Sequence, residues 1–408
     1  MLRNEKGGPE TSGRLFYLDF IRVAACFLIV VYHFPVPLLL RTDWLHATVG
    51  NGGWGNAVVY VFFMISGAAL FYSYGKEKPF SAKIYFKKRI LAIYPLFYIA
   101  YIAAFFVVFW VLGQTYQDVP SYAVIWSILG LDGYLHDVVP NFFTVGEWFI
   151  GAILLVYFCF PVLRRAAFAI GLSRLLLIIA VPALYFMAAP SPLGMETKKN
   201  LFVDLFFFLL GAWIEERRSL NAARAAGSAE GEERGNTVLQ KQTQKNTHAD
   251  CEKYAALGRS EKKHTRRARR LVLTGGLSFA LLLAWLLIPV PLFSTEPLWQ
   301  NFQRNFADSF AAVCLYLCLF ALAYLIAHCS SWLSGLITRV AAYTYGVFLV
   351  HHFVESRICD HFQTELLTNR DRIVLLMLCL AGVVFFTFLL YRTKAVLSAF
   401  LCGTKRKA

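Results

Sequence analysis

The sequence predicts an all-α protein, a polytopic membrane bundle of about ten transmembrane helices with its N- and C-termini in the cytoplasm. Hydrophobic residues make up 58% of the 408 residues and charged residues only 16%, and the mean hydropathy is +0.54. The apolar residues form several runs of about 20 residues, the length that crosses a bilayer as a helix. Lysine and arginine are concentrated in alternate connecting segments, which is typical of a multi-pass membrane protein.

Ten apolar segments carry this prediction, because each approaches or exceeds the length that spans the hydrocarbon core. They cover residues 15–40, 55–75, 90–112, 146–163, 172–190, 200–214, 271–292, 307–327, 334–354 and 373–392. The sixth is short for a span. The segment 120–140 is only partly apolar and has the composition of a re-entrant or interfacial helix, so we expect ten spans, or eleven if this segment is included.

The distribution of basic residues predicts the orientation of the spans. Lysine and arginine cluster at 76–89, at 164–165, across 217–270 and near the C-terminus, and with ten spans all these clusters lie on the side of the N-terminus. Because basic loops stay in the cytoplasm, that side is expected to be cytoplasmic. The formal charge of +15 then follows from topology, and no nucleic-acid partner is expected. We expect a multi-pass protein of the cell membrane, a bacterial inner membrane or a plasma membrane, without a cleaved signal peptide.

The same patterns divide the chain into five parts. A cytosolic tail at 1–14 precedes the first part of the transmembrane core at 15–214, and the second part at 271–392 precedes a basic cytosolic tail at 393–408. The segment 215–270 is rich in charged and small residues and has too few apolar ones to build a core, so it is predicted to be a disordered basic cytosolic loop. Its basic end is expected to contact anionic lipid.

The first span carries ionisable residues where apolar ones are expected. Asp19, Arg22 and His33 lie within 15–40, although one charge inside a bilayer costs about 2.5–3.5 kcal/mol. Arg22 and His33 are eleven residues apart, which places them on one face of a helix and about 16 Å apart along its axis. With Asp19 and Cys26 close to the same line, they predict a polar stripe that catalysis or transport explains better than packing does.

Two further groups of residues are candidates for a functional site. Lys87, Lys88 and Arg89 lie at the cytosolic start of the third span, where they either anchor the topology or hold an anionic ligand that arrives from the cytosol. Glu147 lies beside Trp148 at the outer boundary of the fourth span. A tryptophan at this depth is also typical of the membrane interface.

Small residues and cysteines indicate structure rather than chemistry. Ser66 and Gly67 in the second span are predicted to allow a neighbouring helix to approach closely. Nine cysteines are present, but they form no CxxC pair, so neither a disulfide framework nor a metal site is expected.

A histidine pair lies near the outer end of the ninth predicted span. His351 and His352 are adjacent, so their side chains point about 100° apart on a helix, and at most one is expected to face the site that His33 faces. Histidine accepts and returns a proton near neutral pH, and arginine stabilises an oxyanion or holds a phosphate. These residues leave two classes open: an intramembrane transferase with a phosphate-rich donor, and a proton-coupled transporter or exporter of a polysaccharide or small anion.

Five segments, taken in order, resemble a known family. They are LDFIRVAACFLIVVYHF (18–34), VFFMISGAAL (61–70), FKKRILAIYP (86–95), EWFIGAILLVYFCFPVL (147–163) and YTYGVFLVHH (343–352). Together they resemble membrane-bound acyltransferase family 3, whose members O-acylate cell-surface polysaccharides and related acceptors. The resemblance covers residues 15 to about 392 apart from the hydrophilic insert.

Individual positions carry this resemblance. Arg22 and His33 match the most specific pattern of the family, an Arg and a His with ten residues between them. His351 matches the histidine that ends a Ser-Tyr-Gly-x-Tyr-Leu-x-His pattern, in which this chain has Thr344 and Phe348 in place of the Ser and the second Tyr. Arg89 matches the first Arg of a basic RxxR pair, whereas Ala92 stands where the second would be. All these positions are read directly from the sequence.

The resemblance implies an enzyme that moves an acyl group, acetyl in particular, from acetyl-CoA to a hydroxyl of a cell-surface carbohydrate or lipid-linked sugar. It implies acyl-CoA, that acceptor and membrane lipids as partners, with no permanently bound cofactor and no metal. The implied site residues are His33, Arg22 and His351 for catalysis, Arg89, Lys88 and Lys87 for the donor, and Asp19, Glu147 and Trp148 for the substrate.

The outward loop 113–145 is expected to select the acceptor, or else to form only an interfacial aromatic belt. Its aromatic residues are candidates for stacking on sugar rings, and its polar ones for hydrogen bonds to sugar hydroxyls. These residues are Tyr116, Tyr122, Trp126, Tyr134, Asp132, His136 and Asp137.

Overall fold

The computed structural model describes residues 15–36, 54–75, 78–113, 118–142, 148–189, 196–242, 249–287 and 296–404, with side chains described in all of these except 224–242, 249–267 and 401–404. Thirteen α-helices and no strand lie in these ranges, which confirms the all-α prediction. The helices are α1 (Phe16–His33), α2 (Gly55–Ser73), α3 (Ala82–Phe106), α4 (Val124–Leu129), α5 (Asp132–Leu135), α6 (Trp148–Ile170), α7 (Leu172–Ala188), α8 (Leu201–Gln242), α9 (Ala249–Leu287), α10 (Pro297–Cys329), α11 (Ser331–Ala341), α12 (Thr344–Cys359) and α13 (Asn369–Thr404).

Seven helical segments in the described residues are long and apolar enough to cross a membrane, and they confirm a multi-pass membrane protein. They are Phe16–His33, Gly55–Ser73, Ala82–Val111, Trp148–Ile170, Ala268–Leu287, Pro297–Cys329 and Asn369–Phe400. The pair α11 and α12 adds an eighth if it forms one span bent by 62°. The predicted number of ten spans exceeds this number at two segments, 172–190 and 200–214. Helix α7 has only 17 residues, and 200–214 forms the start of the longer, largely polar helix α8. The orientation of the bundle stays a prediction.

The hydrophilic segment between the two halves is helical over most of its length. The sequence predicts disorder over 215–270, but α8 continues to Gln242 and α9 begins at Ala249. Ala, Glu, Arg, Lys and Gln, which dominate this segment, are among the better helix formers. A shortage of apolar side chains prevents a packed core, but it does not prevent a helix.

Helix α2 lies at the centre of the bundle. Of its apolar window 72% is buried, the largest share among the candidate spans, and it packs against α1, α8 and α10. A methyl group added at Gly67 would lie 1.7 Å from the backbone oxygen of Phe208, and one at Gly211 would lie 2.0 Å from that of Met64. The two glycines therefore bring the backbones of α2 and α8 into contact, which confirms the packing interpretation of Gly67.

The ninth predicted span is broken into α11 and α12. Residues 342–343 separate the two helices, and side chains from other helices bind the carbonyl groups near the break. Tyr391 on α13 donates a hydrogen bond to the Ala342 oxygen at 2.9 Å, and the Cys26 thiol on α1 lies 3.5 Å from the Thr344 oxygen. Such partners are required because a broken helix inside a membrane cannot leave its backbone groups unsatisfied. The break sets α12 against α1 at the angle that positions the histidines.

The partly apolar segment 120–140 forms the short helices α4 and α5 and does not span the membrane. Asp132 ties it to α3, because its carboxyl accepts hydrogen bonds from the hydroxyl groups of Tyr101 and Ser127, both at 2.8 Å. The Asn141 side chain also donates to the Asp132 carbonyl at 3.0 Å. Burial raises the pKa of the Asp132 carboxyl. Asp132 is therefore a structural anchor. The sequence-based prediction that it contacts an acceptor sugar is wrong, because its side chain is buried.

Replacing Asp132 with alanine should lower the thermal stability of the purified protein. The change removes the buried carboxyl group that the hydroxyl groups of Tyr101 and Ser127 contact, and the loss of such buried hydrogen bonds costs about 1–3 kcal/mol. Asp132→Asn keeps an acceptor oxygen and should lose less than half as much. Asp118→Ala, at an exposed carboxylate of the preceding loop, is the matched control. Equal melting temperatures for the variants at the two positions would contradict the anchor role.

Candidate active site

Three histidine rings meet where α1 ends and α12 passes it. The centroid of the His33 ring lies 5.2 Å from that of His351 and 5.3 Å from that of His352. The expectation that only one of the pair faces His33 is therefore wrong, because the His33 ring reaches both of its neighbours across the roughly 100° between them. His352 joins the cluster although the family pattern gave it no role, and its only signal in the sequence was its adjacency to His351.

His351 is held in one protonation pattern by its backbone. Its ring is completely buried, and Nδ1 lies 2.8 Å from the carbonyl oxygen of Phe348. A carbonyl can only accept, so the neutral ring carries its proton on Nδ1 and leaves the lone pair on Nε2. Nε2 has no hydrogen-bond partner among the described residues. The cluster thus contains a nitrogen that can take a proton, and the exposed His352 lies beside it.

Aromatic rings surround the histidines. Tyr32 packs edge-on against His33, with ring centroids 4.9 Å apart, and Phe348 lies 5.6 Å from His351. Phe149 on α6 lies 5.4 Å from Phe348, and its neighbour Trp148 is the first residue of that helix. Trp148 therefore lies at the same end of the bundle as the cluster, separated from it by two rings. Glu147 lies outside the described residues.

One cation lies near the histidines on the loop before α8. Lys198 is among the charges that act on His33, and its ammonium group pairs with Glu196 at 2.5 Å. The side chain of Lys198 is only 27% exposed. Because Glu196 pairs with it, Lys198 adds little net positive charge beside the His33 ring.

Arg22 and Asp19 form an ion pair away from the histidine cluster. The Arg22 Nη1 lies 3.2 Å from the Asp19 Oδ1, and the Asp19 side chain is almost fully buried. Since eleven helical residues separate Arg22 from His33, the two are about 16 Å apart along α1. Between them, Cys26 packs on the start of α12. The structure therefore places Arg22 and His33 on one helix face, but it does not bring their side chains together.

The three donor-binding candidates on α3 separate into one inward and two outward side chains. The Arg89 guanidinium lies 6.0 Å from the Tyr85 ring and 5.7 Å from the Tyr157 ring, and its Nε is buried without a hydrogen-bond partner among the described residues. Lys87 and Lys88 are exposed. Of the three donor-binding candidates, Arg89 alone reaches into the bundle, while the two lysines have the positions of topology anchors.

Most candidates in the acceptor loop have structural partners. The Tyr134 hydroxyl is buried and donates to the Lys199 carbonyl at 2.7 Å. Asp137 pairs with the Lys199 ammonium, and the hydrogen bond from Lys199 lowers the pKa of that carboxyl. Tyr122 is exposed, whereas Tyr116 lies outside the described residues. The buried members support the fold, so an acceptor would contact only the exposed ones.

An apolar groove lies outside the histidine cluster. It has a volume of about 590 Å³ and lies between α3, α12 and α13, where Val350, Phe353 and Val354 line it. None of His33, His351 and His352 lines the groove, although Val354 is only about 60° from His351 around α12. Among the described residues, no group of three or more His, Cys, Asp or Glu side chains is arranged to hold a metal ion.

A comparison with known protein families assigns the chain to one of them. The model of acyltransferase family 3, described as an acyltransferase domain, matches residues 15–392. No curated protein and no solved structure matches the chain significantly. The family match covers the helices that carry both the histidine cluster and Arg89, and it favours the transferase over the transporter. The chain therefore belongs to the acyltransferase 3 family and is a membrane acyltransferase.

Proposed function

We propose that the protein transfers an acyl group, acetyl in particular, from acyl-CoA to a hydroxyl of a cell-surface carbohydrate or lipid-linked sugar. The observation that carries the proposal is the contact of His33 with His351, whose Nε2 retains a lone pair, in a member of an acyltransferase family. A basic nitrogen is what a hydroxyl needs to become a nucleophile.

In the proposed reaction, the histidine cluster removes the proton of the acceptor hydroxyl. The hydroxyl oxygen forms a bond to the thioester carbonyl carbon, the carbon–sulfur bond breaks, and the thiolate of coenzyme A takes up a proton from the cluster. His33 and His351 are the two candidates for the base, and the exposed His352 connects them to solvent.

The donor enters from the end of the bundle where α3 begins. Arg89 contacts the phosphates of acyl-CoA, and the extended arm of the donor, on the order of 15–20 Å long by analogy with an extended chain, carries the acyl group toward the histidines. Arg22 lies about 16 Å from His33 along α1. We therefore assign the Arg22–Asp19 pair to the donor side of the site rather than to His33 itself.

An Arg89→Glu variant should insert normally and lose affinity for acyl-CoA by at least about tenfold. The change replaces a cation by an anion next to the donor phosphates, and one charge-assisted contact contributes about 1.5–3 kcal/mol. Binding of labelled acetyl-CoA to the purified protein measures the effect. Lys83→Glu, an exposed position one turn and a half earlier on α3, is the control. Equal affinity in the Arg89 variant and the parent would place the donor elsewhere.

Purified protein in liposomes tests the proposed function as a whole. Acetyl-CoA is supplied on one side of the membrane and a panel of sugars and lipid-linked sugars on the other. Release of free coenzyme A together with acetylation of one class of acceptor supports the proposal. Movement of sugar without thioester cleavage would contradict it and would indicate the carrier that the sequence alone left open.

A further inference from the structure

A second pocket, of different chemistry, lies at the end of α1 that is remote from the histidines. It has a volume of about 620 Å³ and is lined by α1, α8, α9 and α10. Since α1 has 18 residues, its two ends are about 27 Å apart. The pocket is therefore separate from the proposed catalytic cluster. The family match assigns it no function, and the sequence predicts only that the basic end of 215–270, which includes Arg270, contacts anionic lipid.

The rim of this basic pocket is positively charged. It includes Arg217 and Arg218 on α8, Arg270 on α9 and His328 on α10, and none of its described lining residues carries a carboxylate. Arg218 is neutralised by the buried Glu215 behind it, at 2.8 and 2.9 Å. Within the described part of the chain, no carboxylate pairs with Arg217 or Arg270, so the rim favours an anion.

The Arg217 side chain is held in place at this rim. Its guanidinium lies 5.4 Å from the Trp213 ring, and one N–H group donates to the Ser173 hydroxyl at 3.2 Å. These contacts, made to residues outside the pocket lining, fix the planar group, and its other N–H groups make no hydrogen bond to a described residue. A planar guanidinium with several donors binds phosphate oxygens better than a lysine does.

Most of the lining of the pocket is apolar. Its apolar residues include Leu15, Phe16, Leu317 and Phe320, and we call these the floor. The apolar window of α9 begins at Ala268, so Arg270 lies close to the boundary between the polar and apolar parts of that helix. On the face of α9 that carries Thr274, the exposed side chains of Leu277 and Leu281 follow. The pocket thus presents cations at the interface and apolar surface below them.

We propose that this pocket binds one anionic phospholipid. Arg217 and Arg270 hold its phosphate, and its acyl chains lie along α9 and the apolar floor. A basic pocket between helices at a membrane interface is the arrangement that recognises an anionic lipid headgroup. A soluble anion would gain the charge contacts, but it would leave the apolar floor uncovered. The bound lipid joins α8 and α9, the helices on either side of the hydrophilic connection, to α1.

Native mass spectrometry of the full chain, delipidated in detergent and titrated with lipid, tests this site. The parent should bind one phosphatidylglycerol molecule more tightly than phosphatidylcholine with the same chains. The double variant Arg217→Gln/Arg270→Gln should bind phosphatidylglycerol roughly tenfold to thirtyfold more weakly, because each cation near an anionic headgroup contributes about 1 kcal/mol. Its affinity for phosphatidylcholine should not change.

Two further variants make the result decisive. Arg174→Gln removes an exposed arginine on α7 that does not line the pocket, and it should retain the affinity of the parent. Thr274→Trp fills the pocket from an exposed position without changing the charge. It should weaken phosphatidylglycerol binding as much as the double variant does. If the double variant does not fold, the Thr274 variant alone tests the site. Unchanged phosphatidylglycerol affinity in the folded pocket variants would overturn the proposal. So would displacement of the lipid by coenzyme A, because the pocket would then bind the donor.

Discussion

Replacing His33 with alanine should lower acyl transfer by about 10²–10⁴-fold, the usual contribution of a general base. The reason is structural as well as chemical, because the His33 ring contacts both His351 and His352. Its removal takes away one candidate base and the ring that packs against both of the others. The rate of coenzyme A release by purified protein in liposomes, at matched protein levels, measures this effect.

The other histidines provide the comparison. His361→Ala removes an exposed histidine beyond the end of α12, where its Nδ1 contacts the Arg357 carbonyl at 2.7 Å, and it should leave the rate unchanged. His351→Gln should approach the loss of the His33 variant, since it removes the buried basic nitrogen. His352→Ala should have a smaller effect because that ring is exposed. Activity above half that of the parent in a correctly folded His33 variant would exclude a catalytic role.

Replacing Gly67 with alanine is expected to have the largest effect on stability, a loss of at least about 3 kcal/mol. The new methyl group would lie 1.7 Å from the Phe208 backbone oxygen. A backbone oxygen cannot rotate away as a side chain can, so α2 and α8 would have to separate along their shared interface. Gly211→Ala should act in the same way, because its methyl group would meet the Met64 backbone oxygen.

A glycine in open space is the control for this prediction. Nothing lies within 4 Å of a methyl group added at Gly276 on α9, so Gly276→Ala should be neutral or gain up to about 1 kcal/mol of helix propensity. The fraction of monodisperse protein after heating in detergent reports both changes. If the Gly67 and Gly276 variants melt at the same temperature, the close approach of α2 and α8 does not limit stability.

The site was predictable to the extent that it lies within one helix. The spacing of Arg22 and His33 places them on one face of α1 because helical geometry is regular. The position of Arg89 beside the Tyr85 ring is also local to one helix. The sequence could not show that Tyr157 on α6 lies beside Arg89. Nor could it show that the Asp132 carboxyl accepts a hydrogen bond from Tyr101 on α3. Both contacts join different helices.

The sequence by itself determined that this protein is a helical membrane protein of the acyltransferase 3 family. Composition and the length of the apolar runs indicate a helical membrane protein, because each span must satisfy its own backbone hydrogen bonds in a bilayer. The motif positions indicate the family. The tertiary structure alone decided that α11 and α12 form an angle, that both His351 and His352 reach His33, and that Arg22 does not. Those facts depend on which helix faces pack together, and apolar periodicity alone does not specify packing partners in a membrane.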